Sequence, residues 1–146
     1  MATINWRRVL VGGLVAGVVV GLVWLPVLAI LRTDIGAALQ SLGLSIDPVS
    51  RLALYGVIAI PAAGIVAVWM YAAIRPRYGP GPRTAVIAAF ATWFITLLVD
   101  AGWASLGVVS FRLFVIAKAT DVAALILGTL AGARLYREPL RSEGAV

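Results

Sequence analysis

Residues 9–31, VLVGGLVAGVVVGLVWLPVLAIL, pass 23 positions without a charge, and residues 52–74, LALYGVIAIPAAGIVAVWMYAAI, do so again. A helix rising 1.5 Å per residue needs about 20 apolar residues to cross a bilayer's hydrocarbon core, so each run is long enough to span. Residues 85–111 form a third run broken only by Asp100, and residues 113–133 a fourth carrying Lys118 and Asp121. In lipid the backbone has no water to bond with, which leaves helices or a closed barrel. The valine-rich runs lack the period-two alternation of a barrel strand, so they are read as helices.

Composition points the same way. Of 146 residues, 62% are hydrophobic and only 12% charged, against about 25% charged in a typical soluble domain. A soluble chain of this size could not cover itself with so little polar surface. The expectation is an all-α integral membrane four-helix bundle, one domain over residues 1–146. Its helices are expected at about 6–31, 51–74, 84–106 and 111–137. The first run is too long for a signal-peptide core, and no small-residue cleavage site follows it, so it is expected to be retained.

Charge gives direction. One side of the four-span layout collects Arg7, Arg8, Arg75, Arg77, Arg83, Arg134, Arg137 and Arg141, and the other only Arg32, Arg51 and Arg112. The positive-inside rule then puts both termini and the loop RPRYGPGPR (75–83) in the cytoplasm. Trp6, Trp69, Tyr71, Tyr78 and Tyr136 are expected near the inner interface, and Trp24, Tyr55 and Trp103 near the outer one. Trp93 falls mid-span and is expected to pack rather than anchor. RPRYGPGPR, with three prolines and two glycines, predicts a stiff turn. In the longer outer loop, Asp34 is positioned to cap a short interfacial helix that turns Ile35, Leu39 and Leu42 toward the membrane.

Transmembrane helices associate where small residues let their backbones approach. Gly13, Gly17 and Gly21 recur every four residues in the first helix, and Ala124, Gly128 and Gly132 do so in the fourth. Ala59, Ala63 and Ala67 supply a milder groove in the second, beside a kink expected at Pro61. These grooves either close one bundle or, at the Gly13/Gly17/Gly21 face, join two copies of the chain.

The third helix carries Thr92, Thr96 and Asp100 at four-residue steps, on one face. Asp100 lies six residues before the outer turn and Lys118 six residues after Arg112, each about 9 Å deep at helical rise. Consecutive helices joined by a short turn run antiparallel, so the two side chains can meet. Asp121, three residues past Lys118, shares nearly the same face. An ionised residue at mid-span costs roughly 2.5–3.5 kcal/mol on insertion scales, which favours pairing. The trio sums to −1, so one carboxylate is expected to be protonated, wet or in contact with Arg112. Thr92, Thr96, Asp100, Lys118 and Asp121 are thus either an ionic clasp or the lining of a polar cavity for an ion, proton or small solute.

The absence of Cys and His removes disulfides, thiol redox chemistry and histidine-ligated metals. No metal site, cofactor or catalytic set is expected. Two aspartates on adjacent spans resemble an intramembrane aspartyl protease only superficially, since LLVDAG and AKATDV lack its Gly-x-Gly-Asp arrangement. Two functional classes are open: a structural, accessory or assembly bundle without catalysis, and a small oligomeric channel or transporter using the third and fourth helices. The expected partners are the lipid bilayer and either further copies or a larger membrane complex, and not nucleic acid.

NWRRVLVGGLVAGV at the start, Trp24-x-Pro26, YAAIRPRYGPGPRTA and LAGARLYRE near the end resemble small bacterial four-span membrane proteins of no known activity. The resemblance touches both ends and the central loop. It implies a bacterial cytoplasmic (inner) membrane and carries over no functional residue.

Overall fold

The computed structural model of the protein describes residues 4–43 and 48–136, the side chains of 48–55 excepted. Its elements are four helices, α1 (Trp6–Ser41), α2 (Pro48–Tyr78), α3 (Pro82–Ser105) and α4 (Phe111–Leu135). All four include a stretch long and apolar enough to cross a membrane. Arg51, Tyr55, Arg137 and Arg141 of the orientation and anchor readings lie outside the described side chains.

Local chemistry sets the helix starts. Asn5 Oδ1 accepts the Arg8 N–H at 3.2 Å to cap α1, and Ser110 Oγ accepts the Leu113 N–H at 3.3 Å to cap α4. Each satisfies one of the orphan donors of a first helical turn. Between α2 and α3 the turn shrinks to Gly79–Pro80–Gly81, because α2 continues through Pro76 to Tyr78. Gly79 and Gly81 take φ of 80° and 135°, a region in which a Cβ is strained. Pro82 then opens α3, where its missing N–H costs nothing. Thr84 Oγ1 donates to the Gly79 carbonyl at 2.7 Å, pinning the turn from the helix side.

The ends differ from the sequence reading in one important place. No separate interfacial helix begins at Asp34: α1 runs unbroken from Trp6 to Ser41 and Asp34 caps nothing. The stretch RTDIGAALQS contains one glycine and no proline. Extending an existing helix fixes one residue per hydrogen bond, whereas nucleating a new one fixes three. Ile35 and Leu39 are half-buried along the extension, while Leu42 is exposed. At 36 residues α1 is about 54 Å long.

Up-down connection makes neighbours antiparallel. α1 packs on α2 and α4, α3 packs on α2 and α4, and α2 touches α4 across the diagonal. α1 and α3 thus occupy opposite corners. One end of the bundle gathers the starts of α1 and α3 with the ends of α2 and α4; it is called the arginine end below. Its core comprises Val9, Tyr71, Ala72, Ala85, Ala88 and Tyr136. A second cluster, Val20, Ala89, Ala124 and Leu125 with Trp24 and Trp93 against it, continues toward the far end.

Small side chains make up much of the core, and many of the large apolar ones face outward. Leu14, Val18, Leu22 and Leu25 of α1, Val57 and Ile58 of α2, Phe90, Phe94 and Leu98 of α3, and Val115 and Leu127 of α4 are all exposed. An apolar exterior of this extent is the reverse of a water-soluble bundle.

Glycine explains how the helices come so close. A Cβ on Gly13 would fall 2.5 Å from the Ile65 Cα, and one on Gly17 2.8 Å from the Pro61 Cα. Across the same contact, a Cβ on Gly64 would meet Gly17 N at 2.5 Å and Gly13 O closer still. On its other side α1 meets α4: a Cβ on Gly12 would lie 2.7 Å from the Gly132 carbonyl oxygen, and one on Gly128 2.7 Å from that of Ala16. Gly21 is roomier, with only Ile60 Cγ2 at 3.8 Å. The face offered by Gly13 and Gly17 is therefore occupied by α2 of the same chain. A second copy could not use it without displacing α2.

Candidate functional site

Three of the five polar residues singled out in the sequence come together between α3 and α4. Lys118 lies seven residues inside α4 and Asp100 five residues before the end of α3, so antiparallel packing brings them level. The Lys118 ammonium donates to Asp100 Oδ2 and contacts Asp121 Oδ2, the second within its own helix three residues on. Its side chain is 8% exposed, that of Asp121 21% and that of Asp100 45%. The cation is sunk between two carboxylates, and Asp100 forms the open edge.

Two indoles complete the arrangement. Trp24 Nε1 donates to Asp121 Oδ1 at 3.0 Å, reaching across from α1. Trp93 Nε1 donates to the Lys118 carbonyl oxygen at 3.0 Å, tying α3 to the α4 backbone beneath the cluster. Side chains of α1, α3 and α4 are thereby joined in one network. Its formal charge is −1 from two carboxylates and one ammonium. Each Asp121 oxygen has a donor, whereas Asp100 meets its cation through a single oxygen.

Trp24 departs from its expected role. The position rule for aromatic residues made it an outer-interface anchor, but its N–H is turned inward onto a carboxylate. An indole N–H is a donor with no acceptor function and must find a partner when partly buried. The signal available in the sequence was depth: Trp24 sits seven residues short of the end of the first charge-free run, deeper than an interfacial ring requires. Contact with Arg112 is one of three alternatives for the surplus negative charge, and it is not formed. Arg112 pairs with Asp34 of the α1 extension at 3.3 Å, with exposed side chains on both partners, and does not supply the cluster's missing charge.

The threonines behave differently from the acids. Thr92 is buried and its hydroxyl donates to the Ala88 carbonyl at 2.9 Å; Thr96 donates to the Trp93 carbonyl at 2.8 Å. Both bonds stay within α3, the usual way for a helix to satisfy a hydroxyl without water. Neither hydroxyl has a bond to Asp100, Lys118 or Asp121. The stripe on α3 is thus two self-satisfied hydroxyls leading to one carboxylate in an inter-helix network. Thr129, deeper in α4, is buried with no hydrogen-bond partner for its hydroxyl.

At the arginine end, Tyr136 and Tyr71 meet edge to face, centroids 6.0 Å apart. The Arg75 guanidinium carbon lies 5.7 Å from the Tyr136 ring centre. The Tyr136 hydroxyl accepts the Asn5 N–H and the Tyr71 hydroxyl accepts the Gly81 N–H, each at 3.4 Å. These contacts join the start of α1, the α2–α3 turn and the end of α4.

Among the described residues, no group of three or more His, Cys, Asp or Glu could hold a metal ion. No protein-family model, curated protein or solved structure matches the chain.

Proposed function

We propose that the protein is an integral membrane bundle of a bacterial cytoplasmic membrane, with both termini cytoplasmic, that serves as a structural or assembly element and carries out no catalysis. The eight-to-three arginine asymmetry supports the sidedness. The apolar exterior supports insertion.

One observation carries the functional reading. The mid-span charges are turned on one another: Lys118 is enclosed by Asp100 and Asp121, and Asp121 is also held by Trp24. A conduction pathway needs polar groups free to exchange partners with a moving solute. Here the Thr92 and Thr96 hydroxyls are committed to their own helix. On the other side of the bundle, Gly12, Gly13, Gly17, Gly64, Gly128 and Gly132 bring backbones into contact. Such a body acts through its outer surface, as a member of an assembly.

A second reading rests on Asp100 alone. Its 45% exposed carboxylate at the bundle edge could line a path for an ion, proton or small solute, shared between several copies. One experiment separates the two. Purified protein is reconstituted in liposomes, and proton and cation flux are compared for wild type and Asp100→Asn. Background flux in both supports the structural reading. Flux above background that the substitution abolishes overturns it in favour of transport.

A further inference from the structure

We infer that the arginine end of the bundle is a binding surface for anionic phospholipid headgroups, an inference that rests on the membrane-spanning reading above. The observation is where the charge sits. Arg7 and Arg8 begin α1, Arg75 and Arg77 end α2, Arg83 begins α3 and Arg134 ends α4, so the up-down topology gathers all six at one end. No described carboxylate lies there. Residues 137–146, outside the described ones, carry two arginines and two glutamates, which cancel in the sequence. Among the described side chains the far end holds Arg32 and Arg112 against Asp34, a surplus of one that offsets the −1 of the Asp100/Lys118/Asp121 cluster. The net charge of +6 carried by the described side chains therefore resides at the arginine end.

Three further features select a lipid phosphate over other anions. Every cation at this end is an arginine, whose planar fork grips phosphate oxygens in pairs where a lysine offers a point charge. Arg7, Arg8, Arg77, Arg83 and Arg134 are exposed, so their guanidinium groups are available to a ligand. Trp6 and Tyr78 are exposed at the same end, where amphipathic rings sit among headgroups. The arginines thus stand at the depth of the phosphate layer. A cytoplasmic leaflet rich in anionic lipid supplies the complementary charge, each arginine near the surface strengthening attachment about five-fold.

The test uses the full chain in neutral detergent micelles, with native mass spectrometry counting bound lipid. Phosphatidylglycerol is the anionic probe, phosphatidylcholine the zwitterionic one and inorganic phosphate the headless one. Wild type is expected to retain phosphatidylglycerol well beyond phosphatidylcholine, and inorganic phosphate at equal concentration is expected not to displace it. Arg8→Gln, Arg83→Gln and Arg134→Gln, made singly to spare the fold and then together, are expected to reduce retention stepwise, about five-fold each. Arg32→Gln at the far end is expected to leave it unchanged. Equal retention of the two lipids, displacement by inorganic phosphate, or an equal loss with Arg32→Gln would each overturn the inference. Failure of the underlying reading looks different: the chain would then remain a folded, monomeric helical protein in buffer without detergent.

Discussion

Replacing Lys118 by methionine tests whether the network is held by its cation. Methionine keeps an unbranched stem and removes only the ammonium. The cluster then moves from −1 to −2, with Asp100 and Asp121 facing each other across the vacated position. Breaking a buried ion pair from one side costs about 3–5 kcal/mol, because the abandoned charge keeps its desolvation penalty. Asp100, 45% exposed at the open edge of the cluster, can swing away from Asp121, which brings the expectation to about 3 kcal/mol. Asp100→Asn acts oppositely on charge: it takes the cluster to zero and leaves Lys118 with Asp121, so its cost is expected near 1 kcal/mol. Adding Asp100→Asn and Asp121→Asn to Lys118→Met removes every charge and is expected to recover most of the loss. Reversible unfolding in mixed micelles, followed by helical circular dichroism, measures all four proteins. Polar contacts between membrane helices average only about 0.6 kcal/mol in double-mutant cycles. A Lys118→Met loss of that size, or a neutral triple variant no more stable than the single one, would refute the argument that unpaired charge sets the cost.

Gly64→Ala places a Cβ into the α1 backbone at Gly13 and Gly17 and is expected to cost about 1–3 kcal/mol as overpacking, whereas Gly102→Ala, with nothing within 4 Å, is expected to gain about 0.5–1 kcal/mol of helix propensity; the same unfolding assay reads both. Trp24→Phe keeps the ring but removes the N–H held by Asp121, with an expected loss of about 1.5 kcal/mol for a hydrogen bond to a charged acceptor and a shift in tryptophan fluorescence; an unchanged midpoint would show that the indole bond contributes nothing. Thr129→Val is close in shape and eliminates a buried hydroxyl that lacks a partner, so the midpoint is expected to hold or rise by up to about 1 kcal/mol, and a fall of that size would mean the hydroxyl is satisfied in the folded protein.

What could be read from the sequence divides along a physical line. Runs without charge reveal spans, because crossing a membrane depends on length and polarity residue by residue. Depth counting also places Asp100 level with Lys118, since a short turn leaves antiparallel neighbours little choice. The termination of α1 was not readable: Asp34 looks like a cap, yet nothing around it stops a helix, so the chain continues to Ser41. Packing partners were harder still. Stepping by four from Gly13 finds one face of α1 but passes over Gly12 and Ala16, which meet α4, and over Gly64, which meets Gly13 and Gly17. Two adjacent glycines belong to two different interfaces, and only the relative placement of three helices shows which serves which. Trp24 shows part of the same limit: its depth argues against an interfacial role, but only the placement of α4 shows that its N–H meets Asp121.

The two-sided packing of α1 has a consequence for the order in which the molecule is made. Gly13 and Gly17 find their partner as soon as α2 is threaded, but Gly12 and Ala16 must wait for α4. A nascent chain interrupted before Gly128 and Gly132 leave the ribosome therefore presents a strip of bare main chain along its earliest helix. The fold is sealed only when α4 docks against α1, which makes the finished bundle a record that translation passed Gly132.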